Sequence, residues 1–346
     1  MTSQVLVTGI TGFVGSALAA RLLALGHEVR GTLRDRRREP AIRAALAPFG
    51  GATGQLQLVT LDLERDAGWP EAMAGIRYLL HAASPLPLAE PRDRAEIVRP
   101  AVQGTQRALS AALAAGVERI VVTSSVAAIA YGHPPCRTTP FGPADWTDLA
   151  GRRINAYTEA KTRAEALAWQ LLHRAGRGRD LVAINPGVIL GPLLHADTAA
   201  SVAMLVRLLR GEVPLLARLP LLVADLRDVV DLHVAAMLQP AAGGQRFPIA
   251  TGNYTLPQLV GELRDVLGPI PHRLPRLVVP DRLALWLSYL HPQLRGRLNE
   301  VGLTRQLDSS AAIALLGRPL HPIRATLANT AHSIVRHGLL ERKKRD

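Results

Sequence analysis

Val5-Leu6-Val7-Thr8-Gly9-Ile10-Thr11-Gly12-Phe13-Val14-Gly15 reads as a short apolar strand, a glycine-rich turn and the start of a helix whose apolar residues recur as far as Leu25. In that context each glycine has a task. Gly9 allows the tight turn, Gly12 lets backbone approach a pyrophosphate, and Gly15 lets the helix pack closely on the strand. The helix N-terminus then faces the phosphates, which makes Thr11, Phe13 and Val14 part of the candidate binding segment with the three glycines. The spacing is Gly-x-x-Gly-x-x-Gly, one residue wider at the turn than the ordinary Gly-x-Gly-x-x-Gly fingerprint. Three glycines alone also fit a plain strand-to-helix turn, so the rest of the chain has to decide.

Outward from this turn, apolar strands alternate with amphipathic helices as far as about Asn185. The strands are expected at Val5–Thr8, Glu28–Leu33, Gln57–Leu61, Tyr78–Ala82, Arg119–Ser124 and Leu181–Asn185, with long helices at Phe13–Leu25, Ala95–Ala115 and Ala156–His173. Such alternation predicts an α/β fold, a Rossmann-type doubly wound parallel sheet with ligands at the carboxyl ends of its strands. The glycine turn, His81–Pro85 with Ala82, Ala83 and Ser84, Ser124-Ser125 and Asn185-Pro186-Gly187 all fall at such ends. After Gly191 the pattern changes to proline-interrupted apolar stretches and helices at Leu256–Leu267, Asp281–Leu290 and Ile323–Arg336. Residues 1–190 are therefore read as the nucleotide-binding domain. Residues 191–346 are read as mainly a smaller substrate lobe, with some segments returning to the first domain. The apolar segment Arg282–Leu290 is expected to be buried within that lobe in preference to lying on a membrane surface.

The end of the second strand meets the adenosine ribose in such folds, and NAD-preferring proteins place an acid there. Here Leu33 is followed by Arg34, Asp35, Arg36, Arg37 and Arg38. A guanidinium at Arg34 can grip a 2′-phosphate by a forked hydrogen bond, which favours NADP, although Asp35 leaves NAD open. Arg36 to Arg38 are expected to form a solvated basic loop. Asp62 and Leu63, after the third strand, stand where an adenine ring can rest.

Tyr157 and Lys161 are four residues apart on an expected helix, so both lie on one face. A neighbouring ammonium, helped by the positive nicotinamide of an oxidised cofactor, favours phenolate and is expected to lower the tyrosine pKa toward the working range. Tyr157 can then give a proton to a carbonyl oxygen or take one from an alcohol. The lysine itself is informative: of 41 basic residues only Lys161, Lys343 and Lys344 are lysine, and the last two lie in the terminal Arg342–Arg345 run. In a chain that otherwise uses arginine, an interior lysine points to a compact charge being required. Ser125, at the end of Val121-Val122-Thr123-Ser124-Ser125, is the expected donor to the substrate oxygen, with Ser124 and Thr123 as lesser candidates.

Composition narrows the classes. Hydrophobic residues make up 48% of the 346, which indicates a folded globule. The net charge of +13 is dispersed, with no helix-turn-helix or aromatic-basic motif, so no nucleic-acid partner is expected. Cys136 is the only cysteine, so no intrachain disulfide can form and a reducing compartment is expected. The chain starts directly in strand-forming sequence without an apolar leader and carries no integral membrane segment; a cytoplasmic location is expected. The histidines are scattered, so no metal site is expected and His81, His133 and His233 are read as structural. Arg227 and Asp228 are expected to pair with each other in preference to touching substrate.

With Thr8-Gly9-x-x-Gly12-x-x-Gly15, Ser125, Tyr157 and Lys161 in this order, the chain resembles the extended short-chain dehydrogenase/reductase (NAD-dependent epimerase/dehydratase) family. The closer likeness is to its dihydroflavonol-4-reductase-like branch. Strings that carry it are Thr32-Leu33-Arg34-Asp35, His81-Ala82-Ala83-Ser84-Pro85, Pro100-Ala101-Val102-Gln103-Gly104-Thr105, Asn185-Pro186-Gly187-Val188-Ile189-Leu190-Gly191-Pro192 and Asp225-Leu226-Arg227-Asp228-Val229. The resemblance implies Ser125, Tyr157 and Lys161 as catalytic set, Gly9, Gly12 and Gly15 at the pyrophosphate, Arg34 as the residue selecting NADP, Asp62 and Leu63 at the adenine, and Pro186, Gly187 and Val188 beside the nicotinamide. The asparagine that anchors a water relay in many short-chain enzymes is missing from Pro100–Thr105. An NADPH-dependent reductase of an aldehyde or ketone is the leading expectation, with a small-molecule carbonyl or alcohol substrate and, as is common in the family, a homodimer. A hydroxysteroid-type dehydrogenase/isomerase or nucleotide-sugar epimerase, and an NADP-sensing regulatory protein, are the alternatives.

Overall fold

The computed structural model describes residues 3–51, 54–85, 91, 93–134, 137–196, 199–268, 270, 273–290 and 300–341, with 287–290 in backbone only. Cys136 and the Arg342–Arg345 run lie outside the described residues. Seven strands form the central sheet: β1 (Gln4–Thr8), β2 (Glu28–Leu33), β3 (Leu56–Thr60), β4 (Tyr78–His81), β5 (Arg119–Thr123), β6 (Leu181–Pro186) and, later in the chain, β9 (Arg246–Ile249). Their order is β3-β2-β1-β4-β5-β6-β9, and every pair is parallel. Leu79, Leu80, Ile120, Val121 and Ile184 are fully buried, as strands covered by helices on both faces require. The order reverses between β1 and β4, and at that switch point the carboxyl ends of neighbouring strands open a crevice.

Helices α1 (Phe13–Ala24), α2 (Glu39–Leu46), α3 (Trp69–Met73), α4 (Ala95–Ala114) and α5 (Ala156–Arg174) connect the first six strands. α4 and α5 pack against each other, whereas α1 packs against α7 (Leu226–Leu238). All six expected strands and the three long helices are present, each end within one residue of its expected place. Four strands were not anticipated: β7 (Val188–Leu190), β8 (Pro220–Asp225), β10 (Gly252–Thr255) and β9 itself. They are three to six residues long, and prolines at 220 and 248 mask the strand signal. β9 returns to the main sheet beside β6, and β10-β8-β7 form a small second sheet.

The remaining helices are α6 (Ala200–Leu209), α8 (Leu256–Leu267), α9 (Asp281–Leu290), α10 (Ser310–Leu316) and α11 (Ile323–Arg336). The expected burial of α9 holds for one face only. Ala284 packs against Ala217 and Val301, while Leu283 and Trp286 are 45% and 57% exposed because they point from the opposite side. Among the described residues no helix is long and apolar enough to cross a membrane.

The Arg227–Asp228 pairing is also corrected. Arg227 forks onto Asp225 (Nε–Oδ1 2.9 Å, Nη2–Oδ2 2.7 Å), whereas Asp228 takes Arg318 at 2.6 Å and His321 Nδ1 at 2.7 Å. Asp225, Asp228 and His321 have the composition of a metal site, but guanidinium, hydroxyl, imidazole and backbone N–H donors already occupy the carboxylate oxygens. The cluster clamps α7 to the segment before α11.

Candidate active site

The glycine turn has the backbone its residues require. Gly9 sits at φ +69°, donates its N–H to Thr32 Oγ1 at 3.0 Å and accepts from Gly12 N at 2.9 Å. A Cβ on Gly15 would lie 2.2 Å from the Gly9 carbonyl oxygen, so helix and turn meet at a distance open only to glycine. Gly12 differs: a Cβ there would meet only Gly9 O at 3.4 Å. The protein's own packing therefore does not demand a glycine at 12, and the backbone there stays open to close approach. No side chain caps the N-terminus of α1, and its first turn holds no acid, which leaves the N–H groups there for an anion.

This turn opens on a cleft of about 690 Å³ lined by Gly9, Thr11 and Gly12, by Arg34 and Arg38, by Asp62 and Leu63, and by Ala82, Ala83 and Ser84. The geometry suits a dinucleotide: glycine backbone and helix terminus for pyrophosphate, and guanidinium groups at the end of β2. Phe13 packs into the core beneath the turn, so only its backbone can reach a ligand. Thr8 joins the turn to β4, since its hydroxyl accepts from Ala83 N at 3.1 Å and meets His81 Nδ1 at 2.9 Å.

Beyond Leu33, Asp35 is occupied. Its carboxylate caps the turn at Arg36–Arg38 and is gripped by Arg37 (Nε–Oδ1 2.9 Å, Nη2–Oδ2 2.9 Å), which holds its pKa below the usual carboxylate range. Arg34 is exposed and makes no side-chain hydrogen bond among the described residues. The solvated-loop reading of Arg36–Arg38 needs one correction: Arg38 is half-buried on the cleft wall, with Nη2 donating to Thr11 O at 3.2 Å.

The second half of the site lies at the ends of β5 and β6 against α5. Asn155 caps α5 through its side chain (Thr158 N–Oδ1 2.8 Å), placing Tyr157 in the first turn. Ser125 Oγ accepts from Ala127 N at 3.1 Å, which leaves its proton to donate, and this hydroxyl lies beside the Tyr157 phenol, where it favours the ionised form. Burial raises the Tyr157 pKa above the ordinary phenol value, and the Ser125 contact only partly opposes it. In the protein alone the Lys161 ammonium donates to Thr123 O at 3.0 Å and does not offset the desolvation of Tyr157. Lys161 is itself pulled down to about 8 by burial, with Glu165 opposing the shift.

Ser124 and Thr123 drop out as oxygen-facing donors. The Ser124 hydroxyl is bound to Glu165, and Thr123 Oγ1 bonds His233 Nε2 at 2.8 Å. His233 donates Nδ1–H to the Val229 carbonyl at 2.7 Å, and in the neutral ring that burial favours Nε2 accepts from the Thr123 hydroxyl. Burial lowers the His233 pKa to about 4; burial, assisted by Lys161, lowers that of His81 to about 3. His133 bonds the Ile129 carbonyl and tilts against Phe141. Pro186, Gly187 and Val188 lie where β6 passes into β7, and Gly187 is glycine for a packing reason: a Cβ would fall 2.1 Å from Leu222 O.

Sequence reasoning missed Glu165 and Arg246, and it named Asn185 within a candidate segment without giving it a role. Glu165 accepts from Asn185 Nδ2 at 2.7 Å, Arg246 Nε at 2.5 Å and Trp169 Nε1 at 3.2 Å, besides Ser124. Glu165 was within reach, since it continues the Tyr157–Lys161 face by one more turn. Arg246 carried no local signal.

Residues 5–250 match the model of the NAD dependent epimerase/dehydratase family. Tetraketide alpha-pyrone reductase 2 of Arabidopsis thaliana is 34% identical over 248 residues, covering 70% of this chain and 76% of the relative. Dihydroflavonol 4-reductase of Zea mays is 33% identical over 291 residues, covering 80% and 76%. The chain belongs to the NAD-dependent epimerase/dehydratase family. Its fold is shared with the yeast methylglyoxal/isovaleraldehyde reductase Gre2 complexed with NADPH, at 22% identity and TM-score 0.78 over 98% of this chain and 100% of that one. As a member of this family with reductase relatives, it is an NAD(P)-dependent oxidoreductase with a nicotinamide cofactor.

Proposed function

We propose that the protein is an NADPH-dependent carbonyl reductase that turns an aldehyde or ketone into an alcohol. The observation that carries this reading is the placement of Tyr157: half-buried in the first turn of α5, one turn before Lys161, with the Ser125 hydroxyl beside it and its pKa held above the ordinary phenol value. A half-buried, protonated phenol is the acid that a developing alkoxide needs. Tyr157 gives its proton to the carbonyl oxygen, and Ser125 Oγ–H orients that oxygen and spreads its charge. Lys161, anchored on Thr123 O, holds the cofactor ribose and presents a positive charge to the phenolate left on Tyr157. When bound, reduced nicotinamide supplies the hydride. The names of the reductase relatives support carbonyl reduction as the direction.

Preference for the 2′-phosphate follows from the end of β2. Asp35 would repel a phosphate, but Arg37 has neutralised it and turned it into a cap, while Arg34 and Arg38 face the cleft. Two guanidinium groups around one dianion are the arrangement that charge-assisted forked hydrogen bonds favour. The same segment counts against a ribose-gripping acid. Residues beyond 190 form the substrate side in this reading, with β9 and α7 serving the cofactor domain.

The test is Tyr157→Phe. Carbonyl reduction falls by about 10²–10⁴-fold, the worth of a positioned acid, while NADPH affinity stays within about threefold in a fluorescence titration. A variant with full turnover contradicts the assignment of the proton donor.

A further inference from the structure

Tyr157, Lys161 and Glu165 occupy successive turns of one face of α5, yet only the first two face the proposed chemistry. Glu165 lies below them with its side chain 1% exposed, paired with an Arg246 side chain that is 8% exposed. Its two oxygens gather donors from three strand ends: Ser124 after β5, Asn185 in β6 and Arg246 in β9. Arg246 is fixed in turn by the carbonyls of Pro143 at 3.0 Å, Asp145, and Ala128 at 3.3 Å, and it stacks on Trp146 at 3.9 Å.

Three successive residues at the end of β5 are thereby held at separate points. The Thr123 carbonyl takes Lys161 Nζ at 3.0 Å, the Ser124 hydroxyl goes to Glu165, and the Ser125 carbonyl takes Asn185 Nδ2 at 3.3 Å. Asn185 bonds Glu165 with the same amide nitrogen. One carboxylate is therefore common to the strand end that carries Ser125 and to the helix that carries Tyr157 and Lys161. We propose that Glu165, anchored by Arg246, is the positioning residue that sets Ser125 against Tyr157 and keeps an anion one turn below Lys161. The proposal rests on the reading of Ser125, Tyr157 and Lys161 as the catalytic set.

A buried ion pair is not retained for stability alone, since well-packed apolar replacements often do as well. Here the pair has a second use. Lys161 faces neutral His81 from β4, the Thr123 carbonyl from β5 and uncharged Thr105 from α4, around a cavity of about 20 Å³. Glu165 is the anion among these groups, with the Arg246 charge behind it. Without Glu165, Lys161 gives up its proton at lower pH.

Because the chain has only three lysines, two of them in the terminal run, the Lys161 signal can be followed by NMR in protein carrying ¹³C-ε lysine. The titration needs no substrate. In Glu165→Gln the Lys161 midpoint is expected to fall by about one pH unit, the scale on which a neighbouring charge acts. The alkaline limb of the NADPH-dependent rate moves with it, and kcat drops about 10-fold or more, while NADPH affinity changes by less than about threefold, as loss of positioning predicts. Glu165→Asp keeps the charge but is one methylene short, so it restores the lysine midpoint and not kcat. Ser124→Ala leaves the ion pair in place and is the variant to rely on if Glu165→Gln does not fold: kcat falls several-fold with an unmoved pH profile. An unshifted Lys161 midpoint in folded Glu165→Gln overturns the proposal, as does wild-type kcat in Ser124→Ala. A wild-type protein that turns over no carbonyl contradicts the catalytic reading instead, and the NMR titration still judges Glu165.

Discussion

The two ends of the site hold their charges in opposite ways. At the end of β2, Arg34 is exposed and Asp35 is neutralised by a residue two positions away, so everything needed to present cations to a ligand lies within five consecutive residues. Under Lys161, Glu165 and Arg246 are buried and 81 residues apart, and they meet only because β9 returns to the sheet beside β6. The exposed end is built to receive charge from outside. The buried end is built to keep its own charges fixed, so that chemistry beside it proceeds without rearrangement.

If this contrast is right, substitutions at the two ends should separate binding from turnover. The largest effect is expected at the turn itself. Gly15→Ala forces a Cβ to 2.2 Å from a backbone carbonyl, which no side-chain shift relieves; stability drops by about 1–3 kcal/mol, as overpacking does. NADPH binding should be undetectable by calorimetry, and wild-type affinity in this variant breaks the pyrophosphate assignment. Ser125→Ala comes next, with kcat down about 10²–10³-fold, the usual loss for one oxyanion donor, and KM for NADPH nearly unchanged in steady-state kinetics. Arg34→Gln reverses that pattern: the NADPH Kd rises about 10-fold or more, as for a lost charged hydrogen bond, with NADH affinity unmoved. An equal loss for both cofactors would mean that Arg34 does not read the 2′-phosphate.

The smallest effect sharpens the contrast from the buried side. His81 and His233 are held neutral, with pKa values of about 3 and about 4 against about 6.5 in an unfolded chain. Between these values the unfolded chain binds more protons, so stability is complete above pH of about 6.5 and is lost as pH falls, by up to about 1.4 kcal/mol per pH unit for each ring. A thermal melt series from pH 7 to 4 should show this decline, and His233→Gln should make it shallower. Parallel curves for the two proteins would mean that His233 is not held neutral.

Legibility in the sequence follows the same division. The strand-turn-helix, the β2 arginines, Ser125 and the Tyr157–Lys161 face were readable because each is set by residues within one or two turns of each other. Four short strands were not, since three to six residues, in three of the four including a proline or glycine, carry too little periodicity. Asp35 could be read either way until the Arg37 fork assigned it, and Arg38 joined the cleft only through the Thr11 carbonyl. In the protein alone the Tyr157 shift runs opposite to the one expected with oxidised cofactor, because proximity along a helix says nothing of desolvation, which outweighs the lysine there. Arg246 was beyond any local reading, because its partners lie about 80 to 120 residues away in the chain.

The most direct measurement is the loss of reduced-cofactor absorbance with NADPH, and separately with NADH, against a mixed panel of aldehydes and ketones. Turnover that depends on a carbonyl and is faster at low concentrations of NADPH than of NADH is the predicted result. Tight NADPH binding with no turnover on any carbonyl would contradict the reductase and leave a cofactor-binding protein with another role.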